Sequence, residues 1–254
     1  MTPSPEPTDD ELLDNPMWYS LAGNHAALAI GGPTAKRYLP DVAMFSGCPN
    51  PEAPDWAALA ALMTVGEVLV VPPVPLPPHT GLAVEAFMED AGRQYVYWAS
   101  TGDTVSDPDI RALGESDVPE MLRLVELTHP GPFLPRTIQM GHYFGIWDGA
   151  RLVAMAGERM HPGRFCEISA VCTDPDYRQR GYARRLTLYL IGTILARGEV
   201  PMLHCSADNA PAIRLYEQLG FKLRRINSFQ VVKFVGPAGR LRPGVSGEGG
   251  THAA

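Results

Sequence analysis

From residue 165 to residue 197 the sequence reads as a strand, a basic loop with one glycine, and a long helix, an order that leaves few ways to fold. Residues 165–173 form a short apolar run, and residues 182–197 keep helical spacing until Gly198 takes the C-cap position. The loop between them carries Asp174, Pro175, Asp176, Tyr177, Arg178, Gln179, Arg180 and Gly181. A helix N-terminus presents unpaired backbone N–H groups and the positive end of the helix dipole, so this junction is a physical anion site. Gly181 has no side chain to hold a phosphate away from the backbone. Arg178, Arg180, Arg184 and Arg185 add positive charge to a chain whose formal net charge is -7. Neither the Gly-Lys-Ser/Thr of a P-loop nor a GxGxxG fingerprint is present. On charge alone, a solvated basic helix start would read the same way.

The elements around this junction set a fold class. Upstream, residues 110–113 read as a strand, and residues 115–128 have helical spacing through Val118, Met121, Leu122 and Val125. Residues 142–147 and 152–156, separated by Asp148 and Gly149, have the signature of a hairpin. Downstream come a strand at 202–206, a helix at 211–219 stopped by Gly220, and two final strands near 221–225 and 229–234. The order β-α-β-β-β-α-β-α-β-β implies an α/β (α+β) mixed sheet with helices on its faces. Residues 108–236 therefore read as one domain, with the small polar stretch at 102–109 as its boundary. Residues 1–107 read as a divergent α/β N-terminal region. It has a strand near 26–30, a helix over 55–65, a strand at 67–71 and a stiff Pro-rich connector at 72–78. Its helix-then-strand order loosely echoes the C-terminal half, so a degenerate copy of that half is one reading. Residues 1–12 and the Gly-rich tail 237–254 read as loose ends.

An acidic chain with 45% hydrophobic residues lacks the basic footprint of a nucleic-acid binder. No window approaches the roughly 18 apolar residues of a membrane span, and the acidic N-terminus is unlike a signal peptide. Cys48, Cys166, Cys172 and Cys205 form no CxxC pair or metal-finger spacing, so no metal is expected. Buried thiols and a cytoplasmic location fit this pattern.

Arg178, Gly181 and Ala183 match Arg/Gln-x-x-Gly-x-Gly/Ala, the cofactor motif of the GNAT N-acetyltransferase superfamily, which this sequence resembles. A second stretch, with Asn209, Ala212, Leu215, Tyr216, Gly220 and Phe221, is similar to the family's Asn-x-x-Ala-x-x-Leu-Tyr-x-x-x-Gly-Phe. The resemblance covers about residues 108–236 and looks closest to the branch with glycine N-acyltransferase-like domains. It implies acetyl-CoA or a related acyl-CoA as co-substrate, with no metal.

The resemblance also implies site residues. The loop from Arg178 through Gln179, Arg180, Gly181, Tyr182, Ala183 and Arg184 would hold the coenzyme A pyrophosphate. The backbone of Val171, Cys172 and Thr173, on a strand that splays before the loop, would face the thioester. Thr173 stands where the family usually has an apolar residue. Asn209 would contact the pantetheine arm or the surroundings of the bound acyl group, with Ala212 also on the cofactor, although Asn209 is also a good helix N-cap. Tyr216 would protonate the departing thiolate, or else be a core tyrosine. Glu167 has the strand spacing to face the same way as Ser169, Val171 and Thr173, which makes it the candidate base, or an edge glutamate paired with an arginine. His204 and a water chain are the alternatives.

The expected function is acyl-CoA-dependent N-acyl transfer of an acetyl or short acyl group to a primary amine by direct attack in a ternary complex. The acceptor is a small-molecule or peptide amine, with no nucleic acid or membrane partner and with room for a homodimer. The rival readings are a non-catalytic acyl-CoA-binding or sensor module and an interaction scaffold.

Overall fold

The computed structural model describes residues 6–99 and 106–237. The N-terminal elements are α1 (Asp9–Asp14), α2 (Pro16–Ala22), β1 (Ala29–Gly31), β2 (Lys36–Tyr38), β3 (Ser46–Gly47), α3 (Trp56–Ala61), β4 (Val68–Val71) and β5 (Leu82–Val96). There follow β6 (Ile110–Leu113), α4 (Val118–Thr128), β7 (Tyr143–Asp148), β8 (Arg151–Glu158) and β9 (Phe165–Thr173). The chain then continues through α5 (Tyr182–Ala196), β10 (Val200–Ser206), α6 (Ala210–Gln218) and β11 (Lys222–Phe234).

Eight strands form one mixed sheet in the order β4-β11-β5-β10-β9-β8-β7-β6. Its β9–β10 pair is parallel, and the remaining neighbours are antiparallel. The β7–β8 hairpin closes where Asp148 faces Arg151 and Gly149 takes φ 57°, the left-handed region that a two-residue loop demands. Strand alternation then sorts side chains to two faces. Phe144, Ile146, Val153 and Ile168 pack with Leu186, Leu190 and Ile194 of α5 and Tyr216 of α6. Tyr143, Leu152, Met155 and Cys172 pack with Met121 and Leu124 of α4.

The N-terminal region departs from expectation in four places. Residues 9–14 are not loose: Thr8 and Glu11 form a reciprocal capping box that starts α1. Leu12 and Leu13 of that helix are buried with Val96, Phe165 and Met202. The 26–30 segment is a single 3-10 turn before the short β1, and the helix expected over 55–65 is confined to α3. The largest difference is β5, a 15-residue strand for which the sequence offers no clear periodicity. It lies between β10 and β11, and β4 pairs on the far side of β11, so the sheet does not divide near residue 102. At the other end, the two expected final strands are one, β11, interrupted by register shifts. The expected tail at 237–254 lies, apart from Pro237, outside the described residues.

Candidate active site

Strands β9 and β10 pair only from Phe165–Val200 to Ile168–Leu203, although β10 continues to Ser206 and β9 to Thr173. Beyond Ile168 the two strands separate. The cause is local: Ala170 takes φ 51°, and the β8–β9 ladder slips between Met155 and Gly157. A bulge of this kind bends its strand away from a neighbour. The splay therefore opens over Val171, Cys172 and Thr173, where backbone contact with a thioester was expected. The Cys172 side chain is buried on the α4 face, so only its backbone can face the gap. The Thr173 hydroxyl is buried without a hydrogen-bond partner.

The chain next turns sharply and is held there. The buried Asp174 carboxylate accepts from Arg151 (2.7 Å) and from the Asp176 backbone N–H (3.1 Å). The Tyr177 hydroxyl donates to Asp148 at 2.6 Å. Gln179 and Gly181 then adopt left-handed φ of 63° and 78°, and Gly181 is the N-cap of α5 with no side-chain cap. Alternating left-handed residues turn successive N–H groups toward one point, and the uncapped helix start adds its own. A Cβ at Gly181 would meet nothing within 4 Å, so the space over the loop is open.

Three of the four arginines remain at this opening. Arg180 stacks over the Tyr177 ring at 4.6 Å, and among the described residues Arg178 and Arg184 have no ion-pair partner. Arg185 is withdrawn, its guanidinium bound to Asp107 and Asp109 at 2.6 Å. Tyr182 and Ala183 form the first turn of α5.

On α6, Asn209 is the N-cap: its Oδ1 accepts from the Ala212 N–H at 3.1 Å. That leaves its amide nitrogen available. Ala212 and Tyr216 pack on the α5–α6 face of the sheet with Val171. The Tyr216 ring meets Phe221 edge-on at 6.0 Å. Burial pushes the Tyr216 phenol well above its ordinary range, so it stays protonated at neutral pH. Among the described residues its hydroxyl has no hydrogen-bond partner.

Glu167 does not sit where its spacing suggested. Cys166 and Ile168 pack on the same face as Val171, so the bulge at Ala170 breaks the alternation that would have aligned Glu167 with Val171. Its carboxylate is fully buried and accepts from Arg159 Nε (2.8 Å) and a terminal Arg159 N–H (2.7 Å). Burial pushes this carboxyl up, but the Arg159 guanidinium and His204 outweigh it, leaving the group held ionised well below the usual range. An ion-paired, depressed carboxylate is a poor proton acceptor, so Glu167 is unsuited to act as the amine's base.

His204 is also engaged at both nitrogens. Its Nδ1 lies 2.8 Å from Glu167, and its Nε2 lies 3.1 Å from the Gln94 amide nitrogen. The Gln94 orientation is set by two further bonds: Oε1 accepts from Arg224, and Nε2 donates to the Leu13 carbonyl. The Gln94 N–H therefore faces the His204 lone pair, which puts the ring proton on Nδ1 toward Glu167. Gln94 lies on β5, the strand that the sequence did not reveal, so this tie was invisible to local reading.

A family model described as FR47-like protein matches residues 143–230. The ribosomal protein bS18-alanine N-acetyltransferase of Salmonella typhimurium is 31% identical over 123 residues, covering 44% of this chain and 79% of that enzyme. The chain belongs to the GNAT acetyltransferase superfamily. The N-alpha-acetyltransferase RimI of Mycobacterium tuberculosis is 38% identical over 85 residues, which span 32% of this GNAT chain and only 52% of that relative. The crystal structure of a GNAT-family protein from Novosphingobium aromaticivorans superposes with TM-score 0.79 and 39% identity, covering 87% of this chain and 98% of the other. That coverage extends well beyond residues 108–236, so the fold of the N-terminal region is shared between the two proteins. Among the described residues, no helix of this GNAT protein is long and apolar enough to cross a membrane.

Proposed function

We propose that this GNAT protein transfers an acetyl group from acetyl-CoA to a primary amine by direct attack in a ternary complex. The observation that carries the reading is the continuous path from the β9–β10 splay, through the bulge at Ala170, to the uncapped glycine start of α5. The loop amides from Gln179 to Arg184, with Arg178 and Arg180, hold the diphosphate. The backbone of Val171, Cys172 and Thr173 faces the thioester carbonyl, where developing oxyanion charge needs fixed donors. The amine nitrogen bonds to the carbonyl carbon and the carbon–sulfur bond breaks. The sulfur gains a proton, which Tyr216 supplies in this reading, and the amine loses one to water.

The branch with glycine N-acyltransferase-like domains would imply a small free amine as acceptor. The 31% identity to an alanine N-acetyltransferase favours a peptide N-terminus. An α-amino group of pKa about 8 is partly neutral at physiological pH, so water can serve as its base without a dedicated side chain. The four free cysteines suit a reducing, cytoplasmic setting.

A panel of peptide N-termini and small amines, assayed with several acyl-CoA donors by free-thiol release, tests the reading. Release with acetyl-CoA and an N-terminal peptide is expected. Tight acetyl-CoA binding without turnover of any amine would establish the rival, a binding module.

A further inference from the structure

Strand β5 is longer than the neighbour it serves. It pairs with β11 along its whole length, from Leu82–Phe234 to Val96–Lys222, but with β10 only from Gly92–Ser206 to Val96–Met202. One more bond, from the Ala207 N–H to the Ala91 carbonyl, ends that ladder. A bulge at residues 89–91, where Asp90 has φ 46°, separates this paired end from residues 82–88. Along 82–88 the side of β5 that faces the β10 lane has no strand partner among the described residues. At roughly 3.4 Å per residue this is an open edge about 24 Å long. Such edges are usually protected, because unpaired N–H and C=O groups recruit another strand. This one instead exposes Val84, Phe87 and Met88.

We infer that this edge is the acceptor-docking surface, taking an extended basic peptide as an added antiparallel strand with its N-terminus pointing at the splay. The inference rests on the proposed peptide acetylation. Direction comes from the topology. The open lane continues the line of β10, which is antiparallel to β5 and ends at Ser206 beside the gap between β9 and β10. A peptide running antiparallel to β5 begins at that end, so its α-amine is the part nearest the splay. Main-chain pairing of this kind supplies affinity, and side-chain contacts supply selectivity. Charge selects the occupant. Glu85, Glu89 and Asp90 lie on or beside the edge, and Lys233 approaches Glu85 only to 3.9 Å. Two copies of the chain pairing through this edge would bring like charges together, which is destabilising, whereas a lysine- or arginine-bearing peptide is complementary.

The test uses the full chain saturated with coenzyme A and a seven-residue, lysine-containing peptide with a free N-terminus and a C-terminal fluorophore. Binding is read by anisotropy. Methylating alternate backbone nitrogens of the peptide should weaken binding at least tenfold for one of the two alternating sets. Replacing its lysines by glutamates should do the same. The Glu85→Lys/Glu89→Lys double variant changes only exposed side chains and should reverse the charge preference, leaving coenzyme A affinity unaltered. Binding insensitive to both backbone methylation and charge would overturn the inference. So would a dimer in sedimentation that Phe87→Ser converts to monomer, because the edge would then be filled by a second copy. If methyl-sensitive binding occurs but no amine is acetylated, the edge assignment stands and the proposed activity falls.

Discussion

At the scale of single residues, Tyr216 and Glu167 were read from the same kind of signal, a residue type at a spacing. The structure treats them differently. The Tyr216 hydroxyl is unbonded among the described residues and is held protonated by burial. Tyr216→Phe keeps the ring and its packing on Phe221, so acyl-CoA affinity should hold within a few-fold while kcat falls about 10²-fold. An unchanged kcat with a lowered Tm would make it a core tyrosine. Glu167 is a buried counter-ion to Arg159. Glu167→Gln leaves that arginine unpaired, which should cost about 3–5 kcal/mol at neutral pH. Because the folded-state carboxyl is depressed, its contribution is present above the unfolded value of about 4.3 and is lost as pH falls toward the folded one. The stability gap between native and variant, measured by urea unfolding, should therefore narrow below about pH 4. The activity–pH profile should follow the acceptor amine in both proteins. Sequence spacing failed at Glu167 because alternation holds only while a strand is regular, and the bulge at Ala170 lies between this residue and the motif.

Among the elements, the start of α5 carries the proposed anion site and α1 carries an unexpected structural load. Gly181 sits at φ 78°, which an L side chain adopts only with strain, and its open face is where the proposed diphosphate would approach. Gly181→Asp should weaken coenzyme A binding at least tenfold, about 1.4 kcal/mol, and shrink the Tm rise produced by acetyl-CoA. A retained shift would place the anion site elsewhere. Leu13 of α1 is 1% exposed against Val96, Phe165 and Met202. Leu13→Ala should cost about 2–5 kcal/mol in urea unfolding. A loose N-terminus, as the Pro-rich acidic sequence suggested, would lose nothing. The capping pair Thr8 and Glu11 was a readable signal for this helix, whereas its burial depended on strands far away in sequence.

For the whole molecule, the question is whether residues 108–236 stand alone. Their sheet has a gap between β10 and β11 that only β5 fills. A fragment covering residues 106–254 would expose that slot, and the apolar faces of Val96 and Tyr95 would be missing from the core. We expect it to give no cooperative unfolding transition, and co-expression with residues 1–99 to restore one. A stable, acetyl-CoA-binding fragment would show that the boundary near residue 102 is a true domain limit.

The strand–loop–helix junction proposed as the anion site was legible in the sequence, because Gly181, the arginines and the turn residues act over a few positions where local geometry suffices. So was the alternation of β6 through β10 with α4 to α6, since apolar period and helix stops are local properties. That β5 is a strand depends on its distant partners. Ala83, Glu85, Ala86, Met88 and Glu89 are intrinsically helix formers or poor strand formers, and pairing with β11, more than a hundred residues away, overrides that preference. The fate of the charges depends on distant partners too: Arg185 goes to Asp107 and Asp109, and Glu167 goes to Arg159. Ion pairs and sheet neighbours are set by which distant segments the fold brings together, and no local pattern encodes that meeting.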